Sequence, residues 1–275
     1  MVDQEKIHNQ CLSNDPEERI HALEELSNFF SHIPCKQQAW NDLIRLTTDE
    51  NSEVRYIAAD NLDFAFSQVP DKKQAWDDLH ELTVKEDSYL RYSAAKALAF
   101  VFSQVPDKQQ ACSDLHRLTN DEDNFVRNMA ALALGDAFSQ VPDKQQAWDD
   151  LIKLTTDEDG DVRSIAGYAL GPVFSEVTDK QKACNDLHRL TNDEYDDVRS
   201  SAASAFGSAF PQVSDKKKVS EDLLRLTNDE DSNVRAQANY SLGRVSIFMA
   251  SQSEKEEDYR KEFETAIGFF VSSSN

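Results

Sequence analysis

Glycine and proline are scarce, seven of each in 275 residues, and that scarcity argues against an all-β fold dense in turns. Long hydrophobic runs are missing too. The longest, Ala97 to Phe102, falls far short of the roughly 18–20 residues a membrane span needs. The start, Met1-Val2-Asp3-Gln4-Glu5-Lys6, carries no apolar signal-peptide core, so a cytoplasmic setting is expected. The four cysteines, at 11, 35, 112 and 184, form no CxxC pair and read as free thiols in a reducing compartment. Positive charge is the scarcest commodity: 29 Lys and Arg stand against 51 Asp and Glu, a formal net charge of −22. Such a field repels phosphate backbones and anionic lipid surfaces, which excludes most nucleic-acid and membrane readings.

What the chain has in abundance is repetition. Arg recurs every 36 residues at 19, 55, 91, 127, 163, 199 and 235, and from Val54 onward an aliphatic residue precedes it. Leu recurs at 43, 79, 115, 151, 187 and 223, and again three residues later in each unit. Pro34, Pro70, Pro106 and Pro142 punctuate the series before Thr178 and Ser214 replace them. Each unit holds two helical patterns. In residues 71–106 the first runs from about Lys72 to Val84, with Ala75, Trp76, Leu79 and Leu82 on one face. Asp71 suits the N-cap, and Gln74 three residues on completes a capping box, repeated at Asp107–Gln110 and Asp143–Gln146. The second helix follows an acidic turn, its cap slot holding Ser52, Ser88, Asn124, Gly160, Asp196 and Ser232. Pro172 and Pro211 are expected to shorten or kink it.

A lone pair of such helices cannot bury its apolar face, so neighbours must stack: the expected fold is an all-α solenoid of about seven units. Residues 1–34 form an atypical first unit, residues 35–250 six regular ones, and residues 251–275 a C-terminal capping helix and tail. On that helix Tyr259, Phe263, Ile267 and Phe270 share one side and are expected to cover the last unit.

The run Thr155-Thr156-Asp157-Glu158-Asp159-Gly160-Asp161-Val162-Arg163-Ser164-Ile165-Ala166-Gly167-Tyr168-Ala169-Leu170-Gly171 resembles the HEAT repeat, in the prokaryotic variant named after phycobilisome (bilin) lyases. The resemblance covers about residues 13–250 and implies an armadillo-like binding scaffold. It also implies a structural ladder of turn Asp and helix Arg: Asp49 with Arg55, Asp121 with Arg127, Asp157 with Arg163, Asp193 with Arg199, and Asp229 with Arg235. Arg91 departs, since Lys85 takes the turn position and leaves Glu86 or Asp87 to substitute.

Chemistry finds little purchase. The turn Asp157–Asp161 has its glycine too early for an EF-hand loop and no later Glu at the right place. His80, His116 and His188 share a column with Ile44, Ile152 and Leu224, the mark of a half-buried packing slot. The His-Glu pairs of di-iron enzymes on similar scaffolds are not repeated beyond His80-Glu81. Cys112 and Cys184 replace Trp40, Trp76 and Trp148 and read as small hydrophobes. No catalytic residue, metal ligand or cofactor is assigned.

The face that the second helices cannot bury is more informative. Its columns hold Tyr56, Tyr92, Asn128, Ser164, Ser200 and Ala236; Asp60, Lys96, Leu132, Tyr168, Ser204 and Tyr240; and Asp63, Ala99, Gly135, Gly171, Gly207 and Gly243. In HEAT-like arrays this face lines the concave side. Tyr56, Tyr92, Lys96, Leu132, Tyr168 and Tyr240 are therefore the candidate partner contacts. The glycine row admits two explanations, close approach of a ligand or close packing between units. The leading reading is a non-enzymatic scaffold for a protein or peptide, favouring basic partners. The competing one, from the family name, is a bilin-lyase-like or other cofactor-handling protein.

Overall fold

In the computed structural model, which describes residues 2–273, the chain is all helical and forms an α-solenoid of repeated helix pairs. Two compact units are present. The first comprises Met1–Ala133 with Gln140–Asp143, the second Leu134–Ser139 with Lys144–Asn275.

The first unit begins with the pair α1 (Gln4–Cys11) and α2 (Pro16–Phe29). It continues with α3 (Lys36–Leu46), α4 (Ser52–Asp60) and α5 (Leu62–Phe66), then α6 (Lys72–Leu82) and α7 (Ser88–Val101), and then α8 (Lys108–Leu118). The helix α9 (Asn124–Ala137) runs from the first unit into the second. There α10 (Lys144–Leu154) pairs with α11 (Gly160–Val173), α12 (Lys180–Leu190) with α13 (Asp196–Ala209), and α14 (Lys216–Leu226) with α15 (Ser232–Ser251). A last helix, α16 (Glu256–Ser273), packs on α15.

The repeat columns become packing layers. The two leucine columns are buried throughout, and so is a phenylalanine column, Phe30, Phe66, Phe102, Phe138, Phe174 and Phe210, each at most 2% exposed. These phenylalanines open or adjoin the short turn that ends each second helix. There the lysine six residues on holds the chain: Lys36 donates to the carbonyls of Phe30, Ser31 and Ile33 and lies 5.9 Å from the Phe30 ring centre. Lys216 repeats this over Phe210.

Several expectations are corrected. The cap of the second helix lies one residue earlier than the slot named above. Asn51, Asp87, Asp123, Asp159 and Asp231 accept from backbone N–H groups of the first turn, because an Asx carboxyl or amide reaches the N2 and N3 donors. Ser52, Ser88, Asn124, Gly160, Asp196 and Ser232 are thus the first helical residues. The capping box is only half made. Asp71 accepts from the Gln74 N–H, but its own N–H donates to Gln37 of the preceding pair, 3.3 Å away. Pro172 does not shorten α11, which has the same 14 residues as α7, α9 and α13. It sits in the last turn, beside the point where α2, α7, α9, α11 and α13 give way to a 3-10 turn, and Pro211 falls within the turn after α13. The break falls instead at Asn61, whose side chain donates to the Ile57 carbonyl and separates α4 from α5.

The C-terminal helix meets α15 mainly through Ala266 and Phe270; the Phe270 ring lies against Gly243 and 5.6 Å from Tyr240. Tyr259, Phe263 and Ile267, expected to cover the last unit, are exposed. The apolar arc of α16 is wider than the surface α15 offers it. Residues 274–275 of the expected tail lie outside the described residues.

Candidate functional site

The arginine column is consumed by the repeat. Arg91 donates Nε and Nη2 to the two carboxylate oxygens of Asp121 (2.7 and 2.8 Å) and Nη1 to the carbonyls of Lys85 and Glu86. Arg163 with Asp193 and Arg199 with Asp229 repeat the same fork, and Arg19 holds Asp49. The same-unit pairing set out above is therefore corrected: each of these carboxylates binds the arginine 30 residues earlier. At the turn of its own unit the arginine meets backbone carbonyls, as Arg55 does at Asp49 and Arg127, Arg199 and Arg235 do at Asp121, Asp193 and Asp229. Arg163 does the same at the Asp157 carbonyl. Where Lys85 interrupts the column, Asp87 substitutes and lies 3.4 Å from Arg55. Burial pushes the Asp121 carboxyl up, but the Arg91 hydrogen bond and the Asp123 N–H outweigh it, leaving it below its ordinary value. The Arg199 hydrogen bond holds Asp229 below its ordinary value too.

A second ladder escaped the sequence reading. The Nδ1 of His8 lies 2.9 Å from Asp42, that of His80 lies 2.7 Å from Asp114, and His188 meets Asp222, always 34 residues on. In the same register Arg117, Arg189 and Arg225 donate to Thr83, Thr155 and Thr191. The signal was present: Asp occupies 42, 78, 114, 150, 186 and 222 without exception. Where Ile44 replaces the histidine, Asp78 accepts from the Trp40 indole instead, at 2.7 Å.

Asp186 fares worse. Ile152 stands 34 residues before it, and its buried Oδ2 has no hydrogen-bond partner. Burial raises its pKa, with Arg189 and Lys182 opposing. A carboxyl raised on folding favours the folded state most when protonated, and that advantage is lost as pH rises through its folded pKa. Asp186→Asn should therefore raise the melting temperature at pH 7, and the gain should vanish by about pH 3, where the unfolded carboxyl is protonated as well. Equal gains at both pH values would refute the assignment.

Two of the four thiols, Cys11 and Cys184, are poor nucleophiles. Burial pushes the Cys11 thiol up to about 12, and burial raises Cys184 as well. Among the described residues no group of three or more His, Cys, Asp and Glu is placed to hold a metal ion. No helix among them is long and apolar enough to cross a membrane.

The glycine row is resolved in favour of packing. A Cβ on Gly135 would fall 2.9 Å from the Ala169 Cβ, on Gly171 2.9 Å from the Ala205 Cα, and on Gly207 2.7 Å from the Ser241 hydroxyl. Each glycine lets the next second helix approach.

The candidate contact residues divide by environment. In the second unit Tyr168 and Tyr240 stand 51% and 47% exposed. In the first, Leu132 is half-buried, and Tyr92 is half-buried against Ala95, Val126 and Ala130. Lys96 is tied to Asp60 and Asp63 at 3.5 and 3.8 Å. The Tyr56 ring lies tilted against Tyr89 with centres 4.1 Å apart; the Tyr89 ring lies 5.9 Å from Tyr92, and its hydroxyl donates to Asp60. Burial and the Asp60 carboxylate raise the Tyr89 pKa, so the phenol stays protonated. Asp60, Tyr89, Tyr92 and Lys96, with Asp123 and Phe125, line a cleft of about 500 Å³. Tyr89 and Phe125 are consecutive members of one column, Glu53, Tyr89, Phe125, Asp161, Asp197 and Asn233. The sequence reading passed over that column.

Residues 76–171 match the HEAT repeats family. Comparison with curated proteins gives no match. Two solved structures share the fold. The YibA protein of Escherichia coli is 18% identical, with a TM-score of 0.57 over 97% of both chains. A computationally designed armadillo repeat protein for modular peptide recognition is 20% identical, with a TM-score of 0.52 over 74% of this chain and 98% of its own.

Proposed function

We propose that this HEAT-like repeat protein is a non-catalytic scaffold that binds a protein or peptide, preferably a basic one, on the exposed faces of its second helices. One observation carries the reading. The arginines, histidines and aspartates that recur in register are engaged in ladders between consecutive pairs, whereas Tyr168 and Tyr240 on second-helix faces stand exposed. The net charge of −22 favours basic partners. The designed armadillo protein for modular peptide recognition supports a peptide on such a framework.

Tyr168→Ala combined with Tyr240→Ala should weaken partner capture at least about fivefold, as loss of interface tyrosines does, with unchanged helicity by circular dichroism. Undiminished capture by the double variant would remove these faces from the interface. The bilin-lyase-like alternative predicts uptake of a tetrapyrrole by the pure protein, read as a visible absorption band.

A further inference from the structure

Four aromatic residues of the first unit cluster on one side of the second helices. Tyr56, Tyr89, Tyr92 and Phe125 fall in two neighbouring columns, and the corresponding positions of the second unit carry Asp161, Asp197, Ser164 and Ser200. Phe125 is 65% exposed and lines the cleft together with Tyr89 and Tyr92. Tyr89 and Tyr92 form the inner wall, and their ring planes are 37° apart. Asp60 and Asp123 supply negative charge against the single ammonium of Lys96. That ammonium is already drawn to Asp60 and Asp63.

We propose that this cleft is a subsite for an arginine side chain of a basic peptide, a reading that rests on the scaffold function above. A flat guanidinium stacks on aromatic faces while its N–H fork meets a carboxylate. A lysine ammonium, more strongly hydrated and without a planar face, gains less from the same walls. Lys96 competes with the ligand for Asp60, so its removal should strengthen binding.

The test uses the full chain and three fluorescein-labelled octapeptides identical except for two positions, which hold arginine, lysine or the uncharged isostere citrulline. Anisotropy at low salt should show the arginine peptide binding at least about fivefold tighter than either analogue. Phe125→Ala should lower its affinity about fivefold, and Lys96→Gln should raise it. Phe125 is exposed, so its loss leaves the core intact. Equal binding of the arginine and lysine peptides, an unchanged affinity in Phe125→Ala, or weaker binding in Lys96→Gln each overturns the subsite. Arginine-peptide binding that ignores Phe125→Ala but falls in the Tyr168→Ala, Tyr240→Ala variant overturns the subsite alone and leaves the scaffold reading standing. A pure protein that binds none of the peptides, and whose partner capture ignores every variant, overturns both.

Discussion

Arg91→Met should lower the stability of the first unit by about 3–5 kcal/mol, the range expected when one partner of a buried ion pair is removed. The guanidinium and carboxylate are 9% and 8% exposed, so water cannot replace what is lost. The substitution strands the Asp121 carboxylate and removes the donor that serves the Lys85 and Glu86 carbonyls. Methionine retains much of the aliphatic stem's volume, which separates the polar loss from a cavity effect. Urea denaturation followed by helicity measures the change, and a loss below about 1 kcal/mol would mean that the fork contributes as little as a surface pair. Replacing both partners, as Arg91→Met with Asp121→Leu, should recover part of the loss, because no buried charge is then left alone. The pH profile gives an independent readout. Asp121 and Asp229 have folded pKa values below the ordinary one, so their stabilisation is complete above the unfolded pKa of about 3.9 and is lost as pH falls through the folded value. In Arg91→Met the Asp121 share of that acid loss should disappear.

The helix pairs were legible because each column repeats under the same constraint: Leu79 and Leu82 are buried for the same reason as Leu115 and Leu118. The ladder's register was not. When Arg and Asp both recur every 36 residues, a pairing six residues apart and one 30 residues apart produce identical columns. Only the spatial distance between consecutive turns decides between them, and it selects the longer separation. The caps were misplaced by one residue for a similar reason. Polar residues such as Asp87 and Ser88 adjoin at the turn, and backbone dihedrals, not composition, determine which one lies outside the helix.

The candidate contacts were harder to read, because accessibility within a column varies with its neighbours. Leu132 and Tyr168 share one column, yet Leu132 is half-buried while Tyr168 stands open. Searching for what repeats found the scaffold and overlooked Tyr89 and Phe125, which are informative because their column does not repeat. In a solenoid every unit must satisfy the same stacking condition, so a periodic residue is explained by stacking alone. An accessible aromatic that appears in only part of a column, as Phe125 does, has no such explanation, and that is why the subsite is proposed there.

Gly171→Val should destabilise the second unit by about 3 kcal/mol, at the top of the range for overpacking a well-filled core. The new Cβ alone would lie 2.9 Å from the Cα of Ala205 and 3.4 Å from its carbonyl oxygen. Those are backbone and near-backbone atoms, which no side-chain rotation can move, so α11 and α13 must separate. Gly171→Ala meets the same Cβ clash without the branched methyls. It regains roughly 0.5–1 kcal/mol of helix propensity, so its net cost should be nearer 1–2 kcal/mol. Gly268 provides the control, since nothing lies within 4 Å of a Cβ built there. Gly268→Ala removes the same flexibility from α16 without a clash and should stabilise by about 0.5–1 kcal/mol. Opposite signs for the two alanine variants in chemical denaturation would establish that the glycine row exists for helix approach. A stabilising Gly171→Ala would show that the row is slack, and that the closeness of successive second helices is set by the arginine forks instead.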